Sequence, residues 1–455
     1  MHNITNPDIN KLFVFLPHIT KGTGIETKSI QEIGWLKLDN AAKLFPAIMS
    51  GELTAVFRIT AILKKPVKFS DIREAVEITS RRFPYFSVSL GSGLFWYYLE
   101  FNKQLPRIQT EEKIPCTAFA AKRKNEPLYR ILVKENRISV EFIHILTDGG
   151  GAFEYLKSLL YTYFRLNGNA ILSTEGIILP ESPINEGEME DGYKRFFKKK
   201  IPPPGSLTKA WHLPFKLNDK PRLRVTRTSI DLCKLLEIAR RNNVSVTEYI
   251  VSVYLFSLEK IYLEEKEKVK KQGRGVLRIE VPVNLRKKFP SNTMRNFSLF
   301  VLPEIDLRLG VYSFDEILKI VKYQLQTGAD VKQIIRFLSQ NVGHEKSPFI
   351  RFLPLFVKSI AISAVYRRLG SNQCSGILTN LGVVKLPGQM EDLIDSFELV
   401  PTPPNTQVKI SCAMVTFKDQ LRLNFGNVSG STSFEMHFLK HLTGSGIPVK
   451  VLKNN

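Results

Sequence analysis

The sequence predicts a mixed α/β fold, with mixed sheets, arranged as two lobes of similar size. Three observations lead there. Strand-like and helix-like segments alternate through both halves of the chain. Composition breaks sharply between about 180 and 221, where PESPINEGEMEDGYKRFFKKKIPPPG runs acidic, then basic, then into prolines. Such a stretch reads as a linker or mobile loop. The length, 455 residues, suits two or three domains at about 150 residues each. The expected division is an irregular lead-in over 1–34, an N-terminal lobe over 35–180, a linker over 181–221 and a C-terminal lobe over 222–455.

The elements follow in order. TAVFRITAIL, 54–63, is rich in β-branched and apolar residues and predicts a strand. Ser70 sits where an N-cap belongs, ahead of a helix whose Ile72, Ala75, Val76 and Thr79 share one face. LFWYYLEF, 94–101, predicts an aromatic strand. LYRILVK and RISVEFI predict two strands joined at Glu135 and Asn136. A helix is expected over 152–164. In the second half, LRVTRTSI predicts a strand leading into the helix DLCKLLEIARRN. Ser245 with Glu248, and Ser313 with Glu316, have capping-box spacing, each opening a helix. LRIEVPV alternates Leu277, Ile279, Val281 and Val283 onto one face of a strand. VKISCAMVTF and LRLNFG predict a hairpin around 418–420.

Composition excludes several classes. Hydrophobic residues are 43% and charged residues 24%, as in ordinary globular proteins rather than disordered, collagenous or polytopic membrane chains. Cys116, Cys233, Cys374 and Cys412 lie far apart with no CxxC pair, so neither a disulfide framework nor a zinc site is expected. The first residues lack a basic region ahead of their short apolar run, and with the cysteine usage this predicts a cytoplasmic protein. The apolar stretch 349–366 is broken by Arg351, Pro354 and Lys358. Spanning a bilayer takes about 20 apolar residues, so it reads as a buried or surface-lying helix, with membrane-surface contact left open. The net charge of +22 points to an anionic partner: a phosphorylated cosubstrate, an acidic carrier protein, nucleic acid or a lipid surface. No aromatic RNA-binding signature or helix-turn-helix pattern appears, so nucleic acid is not expected.

One segment carries chemistry. In VEFIHILTDGGGAFEYL, 140–156, His144 ends a strand, and Asp148 and three glycines follow before a helix. An imidazole at a strand end beside a glycine turn can face a crevice, and its ordinary pKa of about 6.5 suits general-base work. A lone histidine beside apolar neighbours is more often a hydrogen-bonded core or surface group. The glycines lack the Lys-Ser/Thr of a P-loop and the GxGxxG spacing. His144 and Asp148 are too few for a metal site, and there is no GxSxG elbow.

HILTDG, 144–149, resembles the HxxxDG signature of the CoA-dependent acyltransferase superfamily, which spans chloramphenicol acetyltransferase, condensation domains, plant BAHD enzymes and alcohol acetyltransferases. Its company is more specific. WLKLDNAAKLFPA (35–47), RRFPYF (81–86) and GLFWYYLE (93–100) upstream, then VPVNLR (281–286), MRNFS (294–298) and TNLG (379–382), are similar in kind and order to the bacterial alcohol-acetyltransferase-like branch. The chain departs at Ile143, where many members carry a first histidine, and only Asn424, Phe425 and Gly426 echo the DFGWG element of the plant branch.

The resemblance implies a chloramphenicol-acetyltransferase-like pseudo-dimer with a tunnel between its lobes and His144 at the centre as general base. It implies that Asp148, followed by Gly149, points away and pairs with Arg286. The bland alternative for Asp148 is an N-cap of the next helix. Thr379 and Asn380 are the oxyanion or substrate candidates, against a plain turn. The cosubstrate implied is acyl-CoA, or a phosphopantetheine thioester on an acidic carrier protein. No permanent cofactor or metal is implied. The acceptor is an alcohol or amine. A two-lobed chain supplies both halves of the site, so a monomer suffices. The alternatives are carrier-dependent condensation in lipid or peptide assembly, and a non-catalytic relative that binds an acyl ligand or a partner.

Overall fold

Strict alternation builds the first sheet. In β2 (Val56–Leu63) and β7 (Arg137–Ile143), antiparallel neighbours with Val56 opposite Ile143, every second side chain enters an apolar core: Phe57, Ile59 and Ala61, then Ile138, Val140 and Phe142. The computed structural model describes residues 34–265 and 273–453. The sheet has five strands, in the order β13 (Ile394–Val400), β2, β7, β6 (Tyr129–Lys134) and β5 (Arg107–Thr110). Helices Phe69–Arg82 and Gly149–Leu166 pack on its core face. A small sheet of β1 (Trp35–Lys37), β4 (Tyr97–Phe101) and β3 (Val88–Ser92) stands apart from it.

The second large sheet has eight strands: β10 (Ser298–Val301), β9 (Val276–Asn284), β12 (Gly376–Val383), β14 (Ile410–Phe417), β15 (Gln420–Asn427), β8 (Arg224–Asp231) and β16 (Val449–Leu452) in order, with β11 (Glu304–Asp306) also on β9. The helices Val246–Glu264, Phe314–Gly328 and Ser433–Gly444 share its core. Both capping boxes form, at Ser245/Glu248 and Ser313/Glu316, and the 418–420 hairpin joins β14 to β15. β13 comes from the 222–455 stretch yet pairs with β2 in the first sheet, so the sheets do not divide where the chain midpoint does.

Glu141 and Ser139, on the far side of β7 from the core, are fully buried too. They enter a polar layer. Ser139 bonds Thr60 at 2.7 Å, and Glu141 takes Arg58 at 2.6 Å. Arg58 also pairs with Glu111; Arg137 joins Glu111 to Glu398 at 2.9 and 2.8 Å; and Arg227 on β8 lies 3.4 Å from Glu398. Buried charges persist only when each finds a partner. Here the chain of partners runs from the first sheet into the second.

Three expectations change. Ser70 does not cap its helix, which starts at Phe69 with Lys68 in the cap position, and the Ser70 hydroxyl donates to Asp71 instead. The helix expected over 152–164 begins three residues earlier, because Asp148 caps it. The apolar stretch 349–366 breaks at Pro354 into helices Pro348–Phe352 and Leu355–Val365. Residues 181–221 hold two short helical turns, Glu186–Met189 and Gly192–Arg195. Glu188 forms a two-pronged pair with Arg82, and Trp211 is fully buried. The N-terminal lead-in, apart from Gly34, lies outside the described residues.

Candidate active site

His144 continues β7 by one hydrogen bond, its N–H donating to the Ala55 carbonyl at 2.9 Å. The backbone then turns away, and the imidazole is left between two phenyl rings. Phe45, from the short Phe45–Ile48 helix, stacks on it at 5.3 Å and 15°, and Phe57 lies at 4.5 Å and 37°. The residue is partly exposed, while Ile143 and Ile145 on either side are fully buried. Enclosure by protein pushes the imidazole pKa below its ordinary 6.5; the Asp148 charge, the Asn296 side chain and the Thr147 backbone work against that shift. The ring is therefore neutral near pH 7, the form a general base needs.

Asp148 fills both roles open to it. One carboxylate oxygen caps the Gly149–Leu166 helix, accepting from Gly150 and Gly151 N–H at 3.1 and 3.2 Å. The other accepts from the Arg286 guanidinium at 2.9 Å and the Phe297 N–H at 2.8 Å. Burial alone would raise this carboxyl, but Arg286 and the surrounding N–H donors hold it below the usual range. Arg286 also donates to the carbonyls of Thr293 (2.7 Å) and Arg295. The charge pair thereby ties the turn after His144 to the loop 293–297.

Gly151 is required by that contact. A Cβ there would lie 2.2 Å from the Met294 carbonyl oxygen and 2.3 Å from the Thr147 hydroxyl, which itself bonds Met294. Gly149 faces another close neighbour, since a Cβ would sit 3.3 Å from Leu381 in TNLG. The structure thus brings TNLG against the turn carrying HILTDG. Asn380 donates to the Thr247 hydroxyl at 2.9 Å and accepts from Gly382 N–H at 2.8 Å, bracing the irregular end of β12. Thr379 is partly exposed. Among the described residues no hydrogen bond joins Thr379 or Asn380 to His144.

Sequence reasoning missed Asn296 and Asp39. The Asn296 amide donates to the His144 carbonyl at 2.8 Å and to Asp39 at 3.1 Å. Asp39, fully buried, accepts from Ala42 N–H and lies 3.7 Å from Arg295. Burial raises its pKa to about 6, against the lowering by Arg295. Both residues lie inside segments noted for resemblance, WLKLDNAAK and MRNFS, but no local pattern marks either as a support for His144.

A cavity of about 1000 Å³ opens nearby, with walls from both halves: Ile48, Thr54 and Cys116 from one, Arg222, Tyr366 and Asn405 from the other. His144 is not itself a wall. The Phe45–Ile48 helix connects the two places, with Phe45 on the imidazole and Ile48 on the cavity.

No protein-family model and no curated protein matches the sequence. Solved structures do. The first condensation domain of the calcium-dependent antibiotic synthetase, in complex with a substrate analogue, superposes with a TM-score of 0.58 at 12% identity, covering 92% of this chain and 99% of that one. TRI101 of F. sporotrichioides, complexed with coenzyme A and T-2, gives 0.57 at 11% identity over 92% and 99%. Polyketide synthase associated protein 5 of Mycobacterium tuberculosis gives 0.52 at 12% identity over 90% and 96%. This is the fold of the CoA-dependent acyltransferases and condensation domains. The fold that the sequence resemblance implied is the fold these structures share. At these identities the acyltransferase fold is what is shared.

Proposed function

We propose that this chain is an acyltransferase that moves an acyl group from a CoA or carrier-bound thioester to an alcohol or amine, with ester formation on an alcohol as the leading form. The observation that carries this is the neutral imidazole of the partly exposed residue His144, framed by Phe45 and Phe57 and followed by a turn that the Asp148–Arg286 pair holds in place.

In the proposed reaction a ring nitrogen of His144 takes the proton from the acceptor O–H or N–H as that atom attacks the thioester carbonyl. The tetrahedral oxyanion collapses, the C–S bond breaks, and the thiolate leaves with the proton from the imidazolium. Thr379 is the proposed donor to the oxyanion. Asp148 is the positioning residue. Its two oxygens are already engaged by four donors, which leaves it no role as a base. The large cavity is proposed to hold one substrate, and the positive balance of the chain suits a phosphorylated cosubstrate. TRI101, which shares the fold, was crystallised with coenzyme A. Condensation domains sharing it keep the carrier-dependent form of the reaction in view.

The test is thiol release from acetyl-CoA and longer acyl-CoAs, and from an acyl carrier protein, across a panel of alcohols and amines. Release that depends on the acceptor supports the reading, and the donor that works separates the CoA form from the carrier form. Tight acyl-CoA binding with no acceptor-dependent release across the panel would favour the non-catalytic alternative.

A further inference from the structure

The Leu355–Val365 helix is amphipathic in the wrong sense for a surface helix. With about 3.6 residues per turn, Phe356, Val357, Ile360, Ala361, Ala364 and Val365 occupy one half of its circumference, and Leu355, Lys358, Ser359, Ile362 and Ser363 the other. The half with no polar residue faces solvent. Phe356 and Ile360 are each 70% exposed, Val365 53%. Lys358, on the inner half, is only 2% exposed. Its ammonium donates to the carbonyls of Phe95 and Arg351 at 2.9 and 3.0 Å and lies 3.7 Å over the Trp96 ring. Ser363 bonds the Ala47 carbonyl at 2.6 Å. These inward polar contacts fix the helix with its apolar half outward.

The patch extends beyond the helix. Phe352, in the preceding turn, is 74% exposed, and so is Leu94, at 73%, whose carbonyl accepts from Leu355 N–H. A contiguous apolar surface of this kind marks a contact site rather than chance exposure. Charge along this stretch of the sequence has one sign. From Lys346 to Met390 the sequence carries Lys346, Arg351, Lys358, Arg367, Arg368 and Lys385 and no Asp or Glu. Lys346, Arg351 and Arg368 are exposed. Among the described residues no helix is long and apolar enough to cross a membrane.

We propose that this face seats the protein on an anionic lipid surface, with the Leu355–Val365 helix lying in the interfacial plane. Apolar burial and attraction of nearby Lys and Arg to acidic headgroups are the two contributions such binding requires, and this segment supplies exposed residues of both kinds. The surface is independent of the catalytic reading. The inner side of the same helix carries Ser363, a wall of the large cavity, so a seated protein holds that cavity one helix thickness from lipid.

The experiment is flotation of the full chain with vesicles of phosphatidylcholine alone or mixed with phosphatidylglycerol, at low and high salt. Binding to phosphatidylglycerol vesicles that weakens with salt is expected. The Phe352→Ser, Phe356→Ser, Ile360→Ser triple variant should bind at least tenfold less while keeping the wild-type melting temperature. A Phe356→Trp variant should show blue-shifted fluorescence on the acidic vesicles. Absence of wild-type binding, equal binding by the triple variant, or an unshifted tryptophan would overturn the proposal. So would a dimer in light scattering that the triple variant abolishes, since a second copy would then cover the face.

Discussion

Replacing Asp148 with asparagine tests the support beneath His144. The carboxylate accepts from Gly150, Gly151, Arg286 and Phe297. An amide offers one acceptor oxygen, so in either orientation its NH2 group faces two donors. At the Arg286 side this also leaves a guanidinium without its counter-charge. Removing one partner of a buried pair costs about 3–5 kcal/mol. Arg286 keeps the Thr293 and Arg295 carbonyls, which places the expected loss at the lower end, about 3 kcal/mol. At about 1 °C per kcal/mol for a chain of 455 residues, the melting temperature should fall by about 3 °C. Loosening the turn by about 1 Å should cost about 100-fold in kcat, with a smaller change in KM. The Asp148 charge also raises the His144 pKa, so the acid limb of the rate profile should move to lower pH in the variant. Differential scanning fluorimetry and steady-state thiol release across pH read all three. A variant with wild-type rate, stability and pH profile would show that the latch neither holds the fold nor positions the imidazole.

Further outcomes follow from the same contacts. In the wild type the acid limb of kcat/KM should lie below pH 6.5, because enclosure lowers the His144 pKa. The same lowering makes stability fall as pH drops through 6.5, since the unfolded chain takes up that proton first; a limb above 6.5 would contradict the desolvated ring. Asp39 has the opposite sign. With a folded pKa of about 6 it binds its proton more readily folded than unfolded, so stability should decline between about pH 4 and 6 as pH rises. Asp39→Asn should flatten that slope in urea titrations, and an unchanged slope would exclude Asp39 as its source. Asn296→Ala removes the donor shared by Asp39 and the His144 carbonyl and should lower kcat more than it raises KM; an unaltered kcat would remove Asn296 from the support of the site. Glu141→Gln, which takes the charge from the partner of Arg58 and Arg130, should destabilise by about 3–5 kcal/mol in denaturant titration, and a loss below 1 kcal/mol would count against the buried network as a structural element.

The elements that were legible in the sequence are those whose determinants are local. The capping boxes at Ser245 and Ser313 and the alternation in β7 and β9 depend on residues within a few positions of one another. His144 stood out for the same reason, at the end of an alternating strand and ahead of a glycine turn. What stayed hidden depends on chain segments far apart. β13 joins β2 across more than half the sequence. Glu188 looked like part of an acidic linker but answers Arg82. Asn296 reaches His144 across 152 positions, and an asparagine inside MRNFS carries no local mark of that. Asp148 was legible as two alternatives because each of its oxygens satisfies one of them. The inverted Leu355–Val365 helix escaped because apolar content alone does not say which half faces out.

The central claim is that the His144 imidazole removes the acceptor proton. Single-turnover acyl transfer by wild type and His144→Ala, at matched saturation with thioester and with folding verified by an unchanged melting temperature, measures it most directly. A loss of about 10²–10⁴-fold in the transfer step, with thioester binding retained, is predicted. Equal transfer rates for the two proteins would contradict the account.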